Sequence, residues 1–200
     1  MYALTNCTIF TGKKFLKKKS VIINGNKIDS IISNRELPST IKTIDLKKRT
    51  IAPGFIDIQV NGGGGVLFND KPSILTIKKI VKAHQSFGTT NILPTFITDS
   101  SDKMLMAASA VNEYLESNML GILGIHFEGP FLSQKKVGAH NIEFIRDFND
   151  TDARIICSLK RGITLLTAAP EKLEYDSISF FKKTNSPVQI LFSDLSDVMT

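Results

Sequence analysis

The segment Gly124-Ile125-His126-Phe127-Glu128-Gly129-Pro130 sets an imidazole and a carboxylate two residues apart at the end of an apolar run. In a β-strand, residues i and i+2 share a face, so His126 and Glu128 point to the same side. A buried carboxylate without a partner is costly, and its partner can be a metal ion, a lysine or a helix N-terminus. A metal ion suits it well, because one charged ligand can be completed by neutral imidazoles. His126 itself reads first as a hydrogen-bonded residue that supports the site, with metal ligation as the other reading. Asp57, Gln59 and Asn61 repeat the spacing of two on an earlier strand, while Thr95 and Glu171 close or follow two others. Gln59 and Asn61 can hold a ligand or satisfy backbone groups. His84 lies on a helix and reads as structural or exposed.

Strands alternating with helices must position these groups. The apolar run Phe55–Val60 follows the breaker Pro53-Gly54. Ile74, Ile77, Ile80, Val81, His84 and Phe87 fall near helical spacing, with Gly88 as a stop. TTNILPTFI predicts a second strand, and DSSDKMLMAASAVNEYLES a capped helix with Met104, Leu105, Ala108, Val111 and Leu115 on one stripe. The third strand is LGILGIHFEG; NDTDARIICSLKRG predicts a helix ending at Gly162, ITLLTAAPE a fourth strand, DSISFFKKTN a short helix and PVQILFS a fifth strand. This alternation implies a parallel sheet with right-handed crossovers. If the sheet belongs to a (β/α) barrel, the strand C-termini are where sites are built. Residues 1–52 read instead as short β-strands, with a hairpin turning at Asn24-Gly25. The run Gly62–Gly65 fits neither a phosphate loop nor a dinucleotide signature and reads as a flexible loop in close backbone contact.

Composition narrows the function classes. With 42% hydrophobic and 22% charged residues among 200, the chain is an ordinary folding sequence. The net charge of +6 comes mainly from 20 scattered lysines, and KKFLKKK lacks the interleaved arginines and aromatics of a nucleic-acid surface. No apolar run approaches the roughly 20 residues of a membrane helix, and the N-terminus lacks a signal-peptide pattern. Two cysteines form no disulfide framework. Cytoplasm, with neither nucleic-acid nor membrane partners, is the expectation.

Longer strings carry a resemblance. APGFIDIQVNGGGGVLFND, TNILPTFIT, GIHFEGPFL, KKVGAHN and LLTAAPE resemble, in order and spacing, the N-acetylglucosamine-6-phosphate deacetylases of the amidohydrolase superfamily. Gln59-Val60-Asn61 stands where most amidohydrolases carry His-x-His. The resemblance implies an α/β fold: a partial (β/α)8 TIM-type barrel of about five strands over residues 53–200, preceded by part of a small β-sandwich over 1–52. It implies a divalent metal, usually zinc, with Glu128 as its carboxylate ligand. Ala139 and His140 would contact the sugar phosphate, and Gln59, Asn61 and His126 would support the barrel mouth.

Two family histidines complete that metal site, one after the fifth strand, where this chain reads Asp194-Leu195-Ser196-Asp197. The family's catalytic aspartate would fall beyond Thr200, so no catalytic residue is expected within the chain. The expectation is therefore a family member inactive on its own, the alternative being a non-catalytic remnant that binds sugar phosphate or an assembly piece whose open sheet edges are covered by a second copy or a complementing chain.

Overall fold

The computed structural model describes residues 1–184 and 188–193, which divide between Gly54 and Phe55 into two compact units. In the first unit, β1 (Tyr2–Thr5), β4 (Lys19–Asn24), β5 (Lys27–Ser33) and β6 (Lys42–Asp45) form a sheet in the order β5-β4-β1-β6. β2 (Thr8–Phe10), β3 (Phe15–Leu16) and β7 (Thr50–Ile51) form a second, β3-β2-β7. The β4–β5 hairpin turns one residue later than the sequence suggests. Asn24 pairs with Lys27, which leaves Gly25-Asn26 as the loop. Only Gly25 needs a positive φ (+60°), as in hairpin turns that put glycine first.

The second unit contains β8 (Phe55–Val60), a small hairpin of β9 (Gly62–Gly63) and β10 (Val66–Leu67), then α1 (Ile74–Gln85), β11 (Thr89–Ile97), α2 (Ser101–Glu116), β12 (Gly124–Glu128), α3 (Asp150–Ile156), β13 (Ile163–Ala168), α4 (Tyr175–Lys183) and β14 (Val188–Phe192). Five parallel strands run in the order β14-β13-β12-β11-β8, an α/β half-barrel with a helix between each successive pair of long strands. The glycine run thus forms a paired hairpin, with Gly62 and Gly63 opposite Leu67 and Val66. A Cβ on Gly62 would strike the Val66 carbonyl, and one on Gly63 would come within 3.0 Å of His84.

Ser73 and Ser100 cap α1 and α2 by accepting from the N–H of Thr76 and Lys103. The core lies between these helices and the sheet, with Ile77, Ile80, Phe96, Met104, Val111, Ile125, Phe127 and Leu166 almost fully buried. Two apolar residues expected on helical stripes face solvent instead: Phe87, beyond the end of α1, and Leu105, which is half exposed because α2 buries Met104, Ala107, Ala108 and Val111. Helix α3 stops at Ile156, short of Gly162, because Asn112 on α2 captures the following turn, donating to the Ser158 carbonyl and accepting from the Lys160 N–H. Phe55, Ile56 and Ile58 on one edge strand and Leu191 and Phe192 on the other are exposed. Among the described residues no helix is long and apolar enough to cross a membrane.

Candidate functional site

Register brings the chemistry together at the C-terminal ends of the strands. Thr95 pairs with His126 and Ile97 with Glu128 across β11–β12, while His126 pairs with Leu165 and Glu128 with Thr167 across β12–β13. Each set is a layer on one sheet face, with His126 below and Glu128 at the rim.

His126 is almost completely buried. Its Nδ1 lies 3.2 Å from the Thr95 hydroxyl and its Nε2 2.8 Å from the Thr167 hydroxyl. Both ring nitrogens are therefore engaged, which is the arrangement of a supporting histidine. Burial pushes its pKa below the ordinary imidazole value, against the opposing pull of Glu128 and the Ile58 carbonyl.

Glu128 occupies a more open position. Its Oε2 accepts from Gln59 Nε2 at 3.0 Å, and its Oε1 lies 3.7 Å from His140 Nε2. The imidazole of His140 is the main cause that holds the Glu128 carboxyl below its usual range. Burial opposes this, and the positive potential of His126 and the Gln59 bond add to it. The Thr98 hydroxyl donates to the Glu128 carbonyl at 3.2 Å and meets His140 Nδ1 at 3.0 Å. One hydroxyl proton cannot serve both, so Thr98 accepts from His140 Nδ1–H.

This geometry explains the Gly129-Pro130 step after an acidic strand end. Gly129 has φ +91°, and a Cβ there would strike the Thr98 hydroxyl. Only glycine lets the chain turn away from β12 while Thr98 reaches the carbonyl of Glu128.

Two cavities meet at Glu128 and His140. One, of about 610 Å³, is lined also by Ser133, Lys135, Thr167, Glu171 and Lys172; the other, of about 540 Å³, by Gln59, Asn61, Asn69 and Ala139. Gln59, Asn61, Glu128, Ala139, His140 and Glu171 thus converge on one region. Thr95 and His126 lie beneath it. Asp57 stands apart from the cavity walls, accepting the backbone N–H of Gln59 at 3.1 Å, and His84 is structural, its Nε2 3.0 Å from the Gly62 carbonyl. Asp194 to Asp197 lie outside the described residues.

Sequence reasoning missed Thr98, Thr167, Gly129 as a steric requirement, and Arg146. The threonines carry no local signal. Arg146 is conspicuous only as one of five arginines in a lysine-rich chain.

Among the described residues no group of three His, Cys, Asp or Glu could hold a metal ion. Glu128 and His140 supply one anionic and one nitrogen donor, short of the three protein ligands of a catalytic zinc site. The described residues by themselves therefore do not fit the divalent ion that the resemblance implies. What they can do is accept a hydrogen bond at an ionised carboxylate and present an adjacent imidazole to a polar molecule.

Comparison with known proteins bears on what that molecule is. Residues 1–51 match the NagA composite domain and residues 50–175 the amidohydrolase family. The chain is 41% identical over 170 residues to an N-acetylglucosamine-6-phosphate deacetylase of Haemophilus influenzae, covering 85% of this chain and 45% of that protein. It is 43% identical over 133 residues to an N-acetylgalactosamine-6-phosphate deacetylase of a Shewanella species, covering 66% and 34%. The crystal structure of N-acetylglucosamine-6-phosphate deacetylase from Pasteurella multocida superposes with a TM-score of 0.86 at 36% identity, covering 94% of this chain and 50% of that one. The chain spans half or less of the length of these relatives. With more than half of its residues matched by the family model, the chain belongs to the amidohydrolase family.

Proposed function

We propose that the chain carries the Glu128 side of a site that removes acetate from an N-acetylated amino-sugar 6-phosphate. The observation that carries this reading is Glu128 itself, an ionised carboxylate at a strand C-terminus, held by Gln59 and facing His140 where two cavities meet. The relatives named as deacetylases of N-acetylglucosamine or N-acetylgalactosamine 6-phosphate supply the substrate class. In this reading residues 1–52 belong to a small β-sandwich and residues 53–200 to the metal-bearing barrel, and the protein works in the cytoplasm.

Each residue has a distinct task. Glu128 accepts from a polar group and holds negative charge at the cavity floor. His140, its Nδ1–H held by Thr98, presents Nε2 to the sugar, and Ala139 lines the same cavity. Gln59 fixes one oxygen of Glu128, while Asn61 lines the same cavity. His126, kept neutral by burial, locks three strands beneath the site. In the family a divalent ion, zinc in our reading, activates water. The described residues do not complete its coordination, and the chain alone is expected to release no acetate.

The test is acetate release from N-acetylglucosamine 6-phosphate by the purified chain with and without added Zn²⁺, beside a Glu128→Gln control. No release above buffer is expected. Release that the control abolishes would overturn the expectation of inactivity and support the assignment of Glu128; release unchanged in the control would overturn that assignment.

A further inference from the structure

We propose that Arg146 is a positioning residue that fixes His140 against Thr98 and thereby shapes the surroundings of Glu128; what that geometry is for rests on the function proposed above. The segment between β12 and α3 forms a loop closed at its base, where the Arg146 N–H donates to the Pro130 carbonyl at 3.2 Å. The Arg146 guanidinium spends all five of its N–H groups. Nε donates to Asp152 Oδ2 at 2.6 Å; Nη1 to the Phe144 carbonyl at 2.7 Å and the Asp99 carbonyl at 3.0 Å; Nη2 to Ser101 Oγ and Met104 Sδ, both at 3.3 Å. Asp152 is fully buried and also accepts from Ser101 Oγ at 2.6 Å and Asn149 Nδ2 at 2.7 Å.

One side chain therefore joins the loop that carries His140 to the segment that carries its partner. Phe144 belongs to that loop, and Asp99 directly follows Thr98, whose hydroxyl meets both His140 Nδ1 and the Glu128 carbonyl. Ser101 and Asp152 tie the same guanidinium to the N-terminal turns of α2 and α3. Lysine cannot reproduce this, since its ammonium has three donors and no planar fork.

The test compares the full chain with R146Q, R146K and S101A. The readouts are the ring resonances of the three histidines and amide hydrogen exchange, neither of which needs turnover. In R146Q the His140 ring signals move toward those of a solvent-exposed histidine. The loop amides of residues 131–145 exchange at least about tenfold faster, as expected for local opening. His126, held by Thr95 and Thr167, and His84, held by Gly62, keep their signals, and β11–β13 keep their protection. R146K lies between, and S101A shifts the same signals less. Unmoved His140 and loop amides in R146Q would overturn the proposal. So would a joint shift of all three histidines, which would make Arg146 a support of the whole unit. Should R146Q fail to fold, S101A decides by the same readouts. Loss of sugar-phosphate binding by the unaltered chain would count against the functional reading and leave these outcomes standing.

Discussion

Gly129→Ala tests the geometry behind Glu128, with Gly138→Ala as its control. Both glycines have positive φ, +91° and +57°. At Gly138 an added Cβ meets nothing within 4 Å, whereas at Gly129 it would strike the Thr98 hydroxyl. The control therefore isolates the backbone term, about 1–2 kcal/mol for an L-residue in the left-handed region. Gly129→Ala adds the displacement of Thr98, which holds the Glu128 carbonyl at 3.2 Å and His140 Nδ1 at 3.0 Å. Two hydrogen bonds of ordinary net worth make that roughly 2 kcal/mol. The expected totals are about 3–4 kcal/mol for Gly129→Ala and about 1–2 for Gly138→Ala. For a chain of this size each kcal/mol lowers Tm by about 2–4 °C. Thermal melts followed by circular dichroism, with urea titration beside them, should separate the variants by several degrees. Equal melting points would refute the steric argument for Gly129, and with it the claim that the turn after β12 is shaped by Thr98.

Other outcomes follow from the buried charges. Asp152→Ala strands Arg146 without its fully buried partner; the loss should approach about 3 kcal/mol, the low end for breaking a buried pair, since Arg146 is a quarter exposed. Urea unfolding checks this, and a loss within error of zero would contradict it. Burial raises the Asp152 carboxyl, but the bonds from Arg146, Ser101 and Asn149 outweigh it and hold the pKa below the ordinary range. The stability this contributes is complete above the unfolded value of about 3.9 and lost as pH falls through the folded one. His126 is also depressed, so the unfolded state takes up its proton first. Its contribution is complete above about pH 6.5 and falls away below that. Melts of the unaltered chain and His126→Gln between pH 7.5 and 5 should show the slope shrinking in the variant, and equal slopes would contradict the assignment.

The alternation of strands and helices was legible because apolar periodicity and serine caps are local signals. The five strands and the start of α1 followed from them. Errors arose where a distant residue decides. Asn112 on α2 ends α3 by capturing the turn at Ser158 and Lys160, which nothing near Ile156 announces. Leu105 was placed on the buried stripe because adjacent apolar residues leave the phase of a helix ambiguous by one position; packing against the sheet resolved it. The glycine run shows the close approach expected of it, at Gly62 and Gly63, but its pairing with Val66 and Leu67 has no signal in the sequence. In the site, the shared face of His126 and Glu128 came from strand alternation alone. Thr98, Thr167 and the five-donor clasp of Arg146 were illegible, since each has at least one partner far off in sequence that only the fold brings near: His140 for Thr98, His126 for Thr167 and Asp99 for Arg146.

Binding of N-acetylglucosamine 6-phosphate to the unaltered chain, followed through its three histidine rings, decides whether Glu128 and His140 face the sugar. Saturable shifts are expected at His140, smaller ones at His126 beneath it and none at His84, with all of them lost in Glu128→Gln. Shifts that spare His140, or that persist unchanged in the variant, would contradict that placement.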